Sequence, residues 1–151
     1  MGLYTDIDVD FARRTLRIIE QYDRTKKRGS ENFEVTLLVN CLVGLLIMPH
    51  QRRRDLIPDV GVGGLAEWSI EASFISSWGQ GRKKTLRQLV RGLRNSVAHF
   101  HIEAEGTEKD IERLRFWDDN GFMATIPVAN LRGFVTKFAS VIGQISSTKC
   151  D

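Results

Sequence analysis

Apolar positions recur at helical spacing in four stretches of the chain, and between the third and fourth they alternate with polar ones at strand spacing. The first stretch predicts a helix from about Asp10 to Arg28 with Phe11, Ile18, Ile19 and Tyr22 on one side. Asp8 or Asp10 is placed to cap its start and Gly29 to end it. Ser30 offers a cap for a second helix running through Glu34 to Met48, and Pro49 is expected to stop it. This second helix is apolar nearly all round, apart from a small or polar stripe of Thr36, Asn40 and Gly44, and is expected at the centre of the fold. The third starts near Lys83 and ends around Ala98 or His99, with Leu86, Leu89, Val90, Leu93 and Val97 as its core stripe. The last runs from about Val128 to Ser146, with Leu131, Phe134, Val135, Phe138, Ile142 and Ile145 on one face.

Between the last two helices, His99 to Glu105, Ile111 to Trp117 and Phe122 to Ile126 have strand character, and Asn120-Gly121 is a strong hairpin turn. The expected fold is therefore mainly α: about four long helices in a bundle, with a small antiparallel β-hairpin between the third helix and the last. The chain, 1–151, reads as a single domain, with 51–81 an irregular Gly- and Arg-rich connection and 147–151 a frayed tail. Leu65 to Ser73 is a candidate short helix. Gly61-Val62-Gly63-Gly64 lacks the Lys-Ser/Thr ending and flanking strand of a phosphate loop and reads as a connection.

Composition adds few constraints. A hydrophobic fraction of 42% and a charged fraction of 27% are those of an ordinary globular chain. The two cysteines, Cys41 in an apolar run and Cys150 near the end, form neither a disulfide framework nor a zinc spacing, which suits a reducing cytoplasm. No signal peptide or membrane span is expected, because the first ten residues carry acids and the Val35–Met48 run is short. The net charge of +3 matters less than its distribution. Arg82 to Ile102 holds six Lys or Arg residues (Arg82, Lys83, Lys84, Arg87, Arg91, Arg94) and no acid, while Glu103 to Asp119 holds seven acids and three bases. The basic block suits an anionic partner, or is a solvated helix face.

The chemistry-bearing segment is Leu93-Arg94-Asn95-Ser96-Val97-Ala98-His99. Asn95 and His99, four apart, share a face roughly opposite the core stripe, with Gln88 and Gly92; Arg94 lies on the flank. The set suits phosphodiester cleavage. An imidazole exchanges protons near neutral pH, an amide orients it or binds a substrate oxygen, and a guanidinium stabilises growing phosphate charge. RNA brings its own 2′-hydroxyl nucleophile, so neither metal nor cofactor is expected. An exposed Arg-x4-His also arises by chance on helices.

The Arg94-Asn95-x3-His99 pattern at the end of a long amphipathic helix resembles the HEPN (higher eukaryotes and prokaryotes nucleotide-binding) superfamily. Thr36 to Asn40 with Gly44-Leu45-Leu46 and Pro49, and Leu93 to Ile102 with the hairpin after it, resemble the plasmid-encoded bacterial branch of HEPN nucleases. The resemblance implies Arg94 and His99 as catalytic pair, Asn95 as their support, and a site built at a homodimer interface. It implies RNA as substrate, with an antitoxin or other partner protein as a candidate.

Weaker substrate-binding candidates are Arg91, Arg87, Lys84, His101 and Asn40. His101 either contacts substrate or sits as a strand-edge histidine; Asn40 either makes a structural bond or supports the site. Trp68, Trp78 and Trp117 either stack bases or pack the fold. Arg52 to Arg54 either grip phosphates or solvate a loop. His50 reads as a loop residue. Three function classes fit: an endoribonuclease in stress response, plasmid maintenance or defence; a non-catalytic RNA- or nucleotide-binding module; and a structural bundle.

Overall fold

A computed structural model describes residues 6–26, 33–52, 57–107 and 110–144, with the side chains of 48–52 excepted. The expected caps at Gly29 and Ser30, the arginines 53 and 54, the side chains of His50 and Arg52, and the tail 147–151 lie outside the described residues.

Helix α1 spans Ile7–Thr25 and begins on Asp6, earlier than the aspartates expected to cap it. The Asp6 carboxylate accepts from the Val9 N–H (3.5 Å) while Asp10 accepts from the Asp6 N–H (3.2 Å), so two orphan donors are satisfied reciprocally. The earlier start brings Val9 onto the buried side with Ala12, Thr15 and Ile19, whereas Ile18 is half exposed. Arg13 Nε donates to the Gly143 carbonyl (2.7 Å), tying α1 to the last helix.

Helix α2 spans Glu34–Arg52 and continues through Pro49. A proline removes one intrahelical donor, and the helix tolerates that loss for its final turn. Leu38, Cys41, Leu42, Leu45 and Leu46 are buried. Thr36, Asn40 and Val43 are exposed, so α2 is not buried all round: the polar members of its stripe, Thr36 and Asn40, face outward, while Gly44 packs under the Phe11 ring of α1. Asn40 is accordingly exposed rather than bonded to the motif helix among the described residues.

Strands β1 (Ile75–Trp78), β2 (Ile102–Gly106), β3 (Ile111–Trp117) and β4 (Phe122–Pro127) form an antiparallel sheet in the order β1-β4-β3-β2. The sheet is larger than the expected hairpin because 51–81 is not merely irregular. It supplies the edge strand β1 and a 3₁₀ segment, Val62–Trp68. Four residues are too few to show a period, and β1 is set by its partner: Ser77 pairs with Met123 and its hydroxyl donates to the Gly121 carbonyl (2.6 Å). The 3₁₀ segment buries Leu65 and Trp68, whose indole meets Phe134 and Phe138 at ring separations of 6.5 and 6.4 Å. Trp68 is thus a core residue.

Ile75, Leu114, Phe116, Phe122, Ala124 and Ile126 form the inner face of the sheet. Helix α3 (Leu86–Ala98), capped by the Thr85 hydroxyl, lies between α2 and this sheet. Its core stripe is as expected, with Ser96 buried at its edge, but Gly92 on the side expected to face outward is buried too. A Cβ at Gly92 would lie 2.5 Å from the Phe122 ring, so only glycine fits. The face expected to point away from the chain's own core is therefore covered by the chain's own sheet at Gly92, half-buried at Gln88 and Asn95, and open only at His99. Helix α4 (Val128–Gly143) buries Leu131, Phe134, Val135, Phe138, Ala139 and Ile142. No helix of the described residues is long and apolar enough to cross a membrane.

Candidate functional site

Helix α3 ends in a tight reversal. His99 is its C-terminal cap, and the next residue, Phe100, is left-handed (φ 55°). The His101 N–H donates to the Ser96 carbonyl (2.8 Å) and the Phe100 N–H to that of Val97 (3.2 Å). These two bonds define a Schellman ending, whose left-handed position is usually a glycine. Here it holds a phenylalanine that is 72% exposed. The reversal leaves the His99 imidazole exposed at the helix end and sends the chain directly into β2.

His101, the first residue after the reversal, is half-buried. Its ring stacks on Trp117 (5.4 Å between centroids, 4° between planes), and His99 leans on it at 5.8 Å. The Arg115 guanidinium lies 5.6 Å from the Trp117 ring and pairs with Glu103. His101 Nδ1 is buried without a partner among the described residues. His99, His101, Trp117 and Arg115 thus form a row along the β2–β3 end of the sheet, and Trp117 packs the hairpin rather than standing free.

One turn earlier on α3, Arg94 and Asn95 are half-buried and bonded to each other: an Arg94 terminal nitrogen donates to Asn95 Oδ1 (3.3 Å). Asn95 Nδ2 in turn donates to Asp118 Oδ2 (3.2 Å). Asp118 is buried after the end of β3, and its other oxygen accepts from the backbone N–H groups of Asn120 (2.9 Å) and Phe122 (3.0 Å). Arg82 completes the set with a buried ion pair to Asp118 Oδ2 (2.9 Å). Burial works against the charged carboxylate. The bonds from Phe122, Asn95, Arg82 and Asn120 together outweigh it and hold the Asp118 pKa below its ordinary value.

The basic block divides in two. Arg82 is buried in its ion pair and cannot reach a ligand. Lys83 and Lys84 are exposed just before α3, and Arg91 is exposed on the helix. Arg87, also exposed, donates from Nε to the Ile57 carbonyl (2.7 Å). Arg87, Arg91, Arg94 and Ala98 follow one another at i, i+4, i+7 and i+11, so a stripe of guanidinium groups climbs one side of α3 toward the His99 end. Arg94 and His99 are offset by roughly 140° around the axis, and His99 makes no side-chain hydrogen bond among the described residues. The fold joins Arg94 to Asn95 and His99 to His101. Asn40 stays outside this cluster, exposed on α2.

Asp118 and the role of Phe100 escape sequence reasoning. Asp118 heads Asp-Asp-Asn-Gly, which announces a turn with an aspartate binding its own backbone, but the spacing says nothing about where the second oxygen points. Phe100 carries no local signal, because a left-handed phenylalanine violates the preference that would reveal it.

The family described as HEPN pEK499 p136 matches the chain over residues 1–149. No curated protein and no solved structure matched it.

Proposed function

Because the chain belongs to the HEPN pEK499 p136 family, we propose that it is a metal-independent endoribonuclease that works as a homodimer in stress response, plasmid maintenance or defence. The observation that carries this is the end of α3: an exposed histidine one turn beyond a bonded Arg94–Asn95 pair, approached by a stripe of exposed basic side chains.

The His99 imidazole takes the proton from the RNA 2′-hydroxyl as its oxygen attacks the adjacent phosphorus. The bond to the 5′-oxygen breaks, and that oxygen takes a proton from an imidazolium, supplied by the second copy of His99 in the dimer. The products are a 2′,3′-cyclic phosphate and a free 5′-hydroxyl. The Arg94 guanidinium neutralises the pentacovalent phosphate, where charge is greatest. Asn95 fixes the guanidinium. The offset between Arg94 and His99 around the helix favours a composite site, in which a second copy set against this helix end offers groups from another side. Arg91, Arg87 and Lys84 hold flanking phosphates.

Incubating purified protein with mixed RNA in EDTA, beside His99→Ala and Arg94→Ala, tests this. The proposal expects cleavage by the wild type and loss of it in both variants. RNA binding without cleavage by the wild type would replace the nuclease with a binding module.

A further inference from the structure

The cluster around Asp118 has an order of donors and acceptors that bears on Arg94. An asparagine side chain has one accepting and one donating end, which differ little in shape and strongly in charge. With Oδ1 toward Arg94, the guanidinium meets an acceptor; with the amide turned over, it meets another donor and is pushed away. On α3 Arg94 itself favours the first, but a long side chain can move aside, so a fixed group must hold the amide. Asp118 does: its Oδ2 can only accept, and it receives Asn95 Nδ2 at 3.2 Å, which forces Oδ1 toward Arg94 at 3.3 Å.

Asp118 cannot easily turn away. Its other oxygen is held by two backbone N–H groups of the β3–β4 turn, and Oδ2 is also held by Arg82. Its side chain is 2% exposed and that of Arg82 8%. The turn at Asn120-Gly121, with Gly121 left-handed at φ 86°, is therefore linked to the motif helix through a single carboxylate. Arg94 is otherwise weakly held, since its Nε is buried without a partner among the described residues.

We propose that Asp118 is a positioning residue for the reaction: acting through Asn95, it sets the guanidinium of Arg94 in the orientation in which it meets the phosphate. The assignment rests on the nuclease reading for its consequence in catalysis, while the relay itself can be observed without turnover. Asp118→Asn is the informative change. It keeps size, and its one remaining oxygen can still receive the Asn120 and Phe122 N–H groups. It turns a donor toward Asn95 in place of the acceptor. Asp119→Asn, an equal loss of charge at the exposed neighbouring residue, is the control.

Two readouts separate this proposal from the nuclease reading. In RNA cleavage, Asp118→Asn is expected to lower kcat by about ten-fold or more, toward the roughly 100-fold that a misplaced catalytic group costs, with KM little changed. Asp119→Asn is expected to match the wild type. In NMR of the wild-type protein without RNA, one Asn95 side-chain amide proton is expected to exchange with water more slowly than those of Asn40, which is exposed on α2. That measurement needs no variant to fold and no activity. Wild-type kcat in a folded Asp118→Asn, or Asn95 amide protons exchanging as fast as those of Asn40, overturns the positioning role. Slow exchange at Asn95 in a wild-type protein that never cuts RNA upholds the relay and sinks only the nuclease reading.

Discussion

Gly92→Ala places one methyl group where the structure leaves no room. The new Cβ would stand 2.5 Å from two atoms of the Phe122 ring and 2.6 Å from a third, well inside contact distance. Phe122 is 1% exposed and its N–H is fixed on Asp118, so the ring cannot swing into solvent and its backbone cannot follow. Overpacking of this kind costs about 1–3 kcal/mol, and three sub-contact distances argue for the upper part of that range. Against it, alanine is better than glycine in a helix interior by about 1 kcal/mol. The net expectation is a loss of about 1–2 kcal/mol, seen in urea unfolding as a lower midpoint with an unchanged slope. For a chain of this size each kcal/mol lowers Tm by about 2–4 °C. The opposite sign is instructive. If Gly92 faced solvent or a second copy, alanine would stabilise the monomer by about 1 kcal/mol and Tm would rise. A rise in Tm refutes the placement of α3 against β4.

The remaining predictions concern the helix end, the carboxylates and the basic stripe. Phe100→Gly should stabilise the protein by about 1 kcal/mol in the same unfolding assay, because a left-handed residue with a Cβ costs roughly 1–2 kcal/mol and an exposed ring returns little by packing; an unchanged midpoint would contradict the strain. Burial of Asp118 and half-burial of Glu34 work against their charged forms, yet both titrate below their ordinary values, Asp118 through the Phe122, Asn95, Arg82 and Asn120 bonds and Glu34 through Arg132 and Lys26. Their folded values lie below the unfolded ones, so their contribution is complete above about pH 5 and is lost as pH falls through the lowered folded values. Unfolding followed from pH 7 to pH 2 should show stability flat at first and then falling, and a curve that stays flat to pH 2 contradicts this. Replacing Lys83, Lys84 and Arg91 by alanine should weaken RNA binding and flatten its salt dependence by about 0.7 in slope per lost phosphate contact. Stability should change little, whereas Arg87→Ala also loses a bond to Ile57. An unaltered salt slope in the triple variant would make the stripe a solvated face.

The sequence pattern foretold the helices best where burial is one-sided and long. The stripe of Leu86, Leu89, Val90, Leu93 and Val97 is buried as its spacing demanded. It foretold less where two faces are covered. Gly92 falls outside the apolar stripe on a helical wheel, yet a glycine is what a sheet packed closely on a helix requires there. Helix α2 misleads in the opposite sense: Asn40 sits among apolar neighbours in sequence but on the one side of the helix that reaches water. The edge strand β1 was invisible because four residues have no period, and its pairing with β4 is decided 44 or more residues away. At the site, the motif was legible as Arg94, Asn95 and His99, since residue type and spacing carry it. The carboxylate bonded to Asn95 was not, because the bond between Asn95 and Asp118 spans 23 residues and depends on how the β3–β4 turn meets α3.

The chemistry of the cut RNA end tests the central claim most directly. RNA of defined sequence is treated with the wild-type protein and with His99→Ala in EDTA, and the fragment ends are read by mass spectrometry. Transesterification by Arg94 and His99 predicts 2′,3′-cyclic phosphate and 5′-hydroxyl ends from the wild type and no fragments from His99→Ala. Fragments bearing 3′-hydroxyl and 5′-phosphate ends, or equal cleavage by His99→Ala, would contradict it.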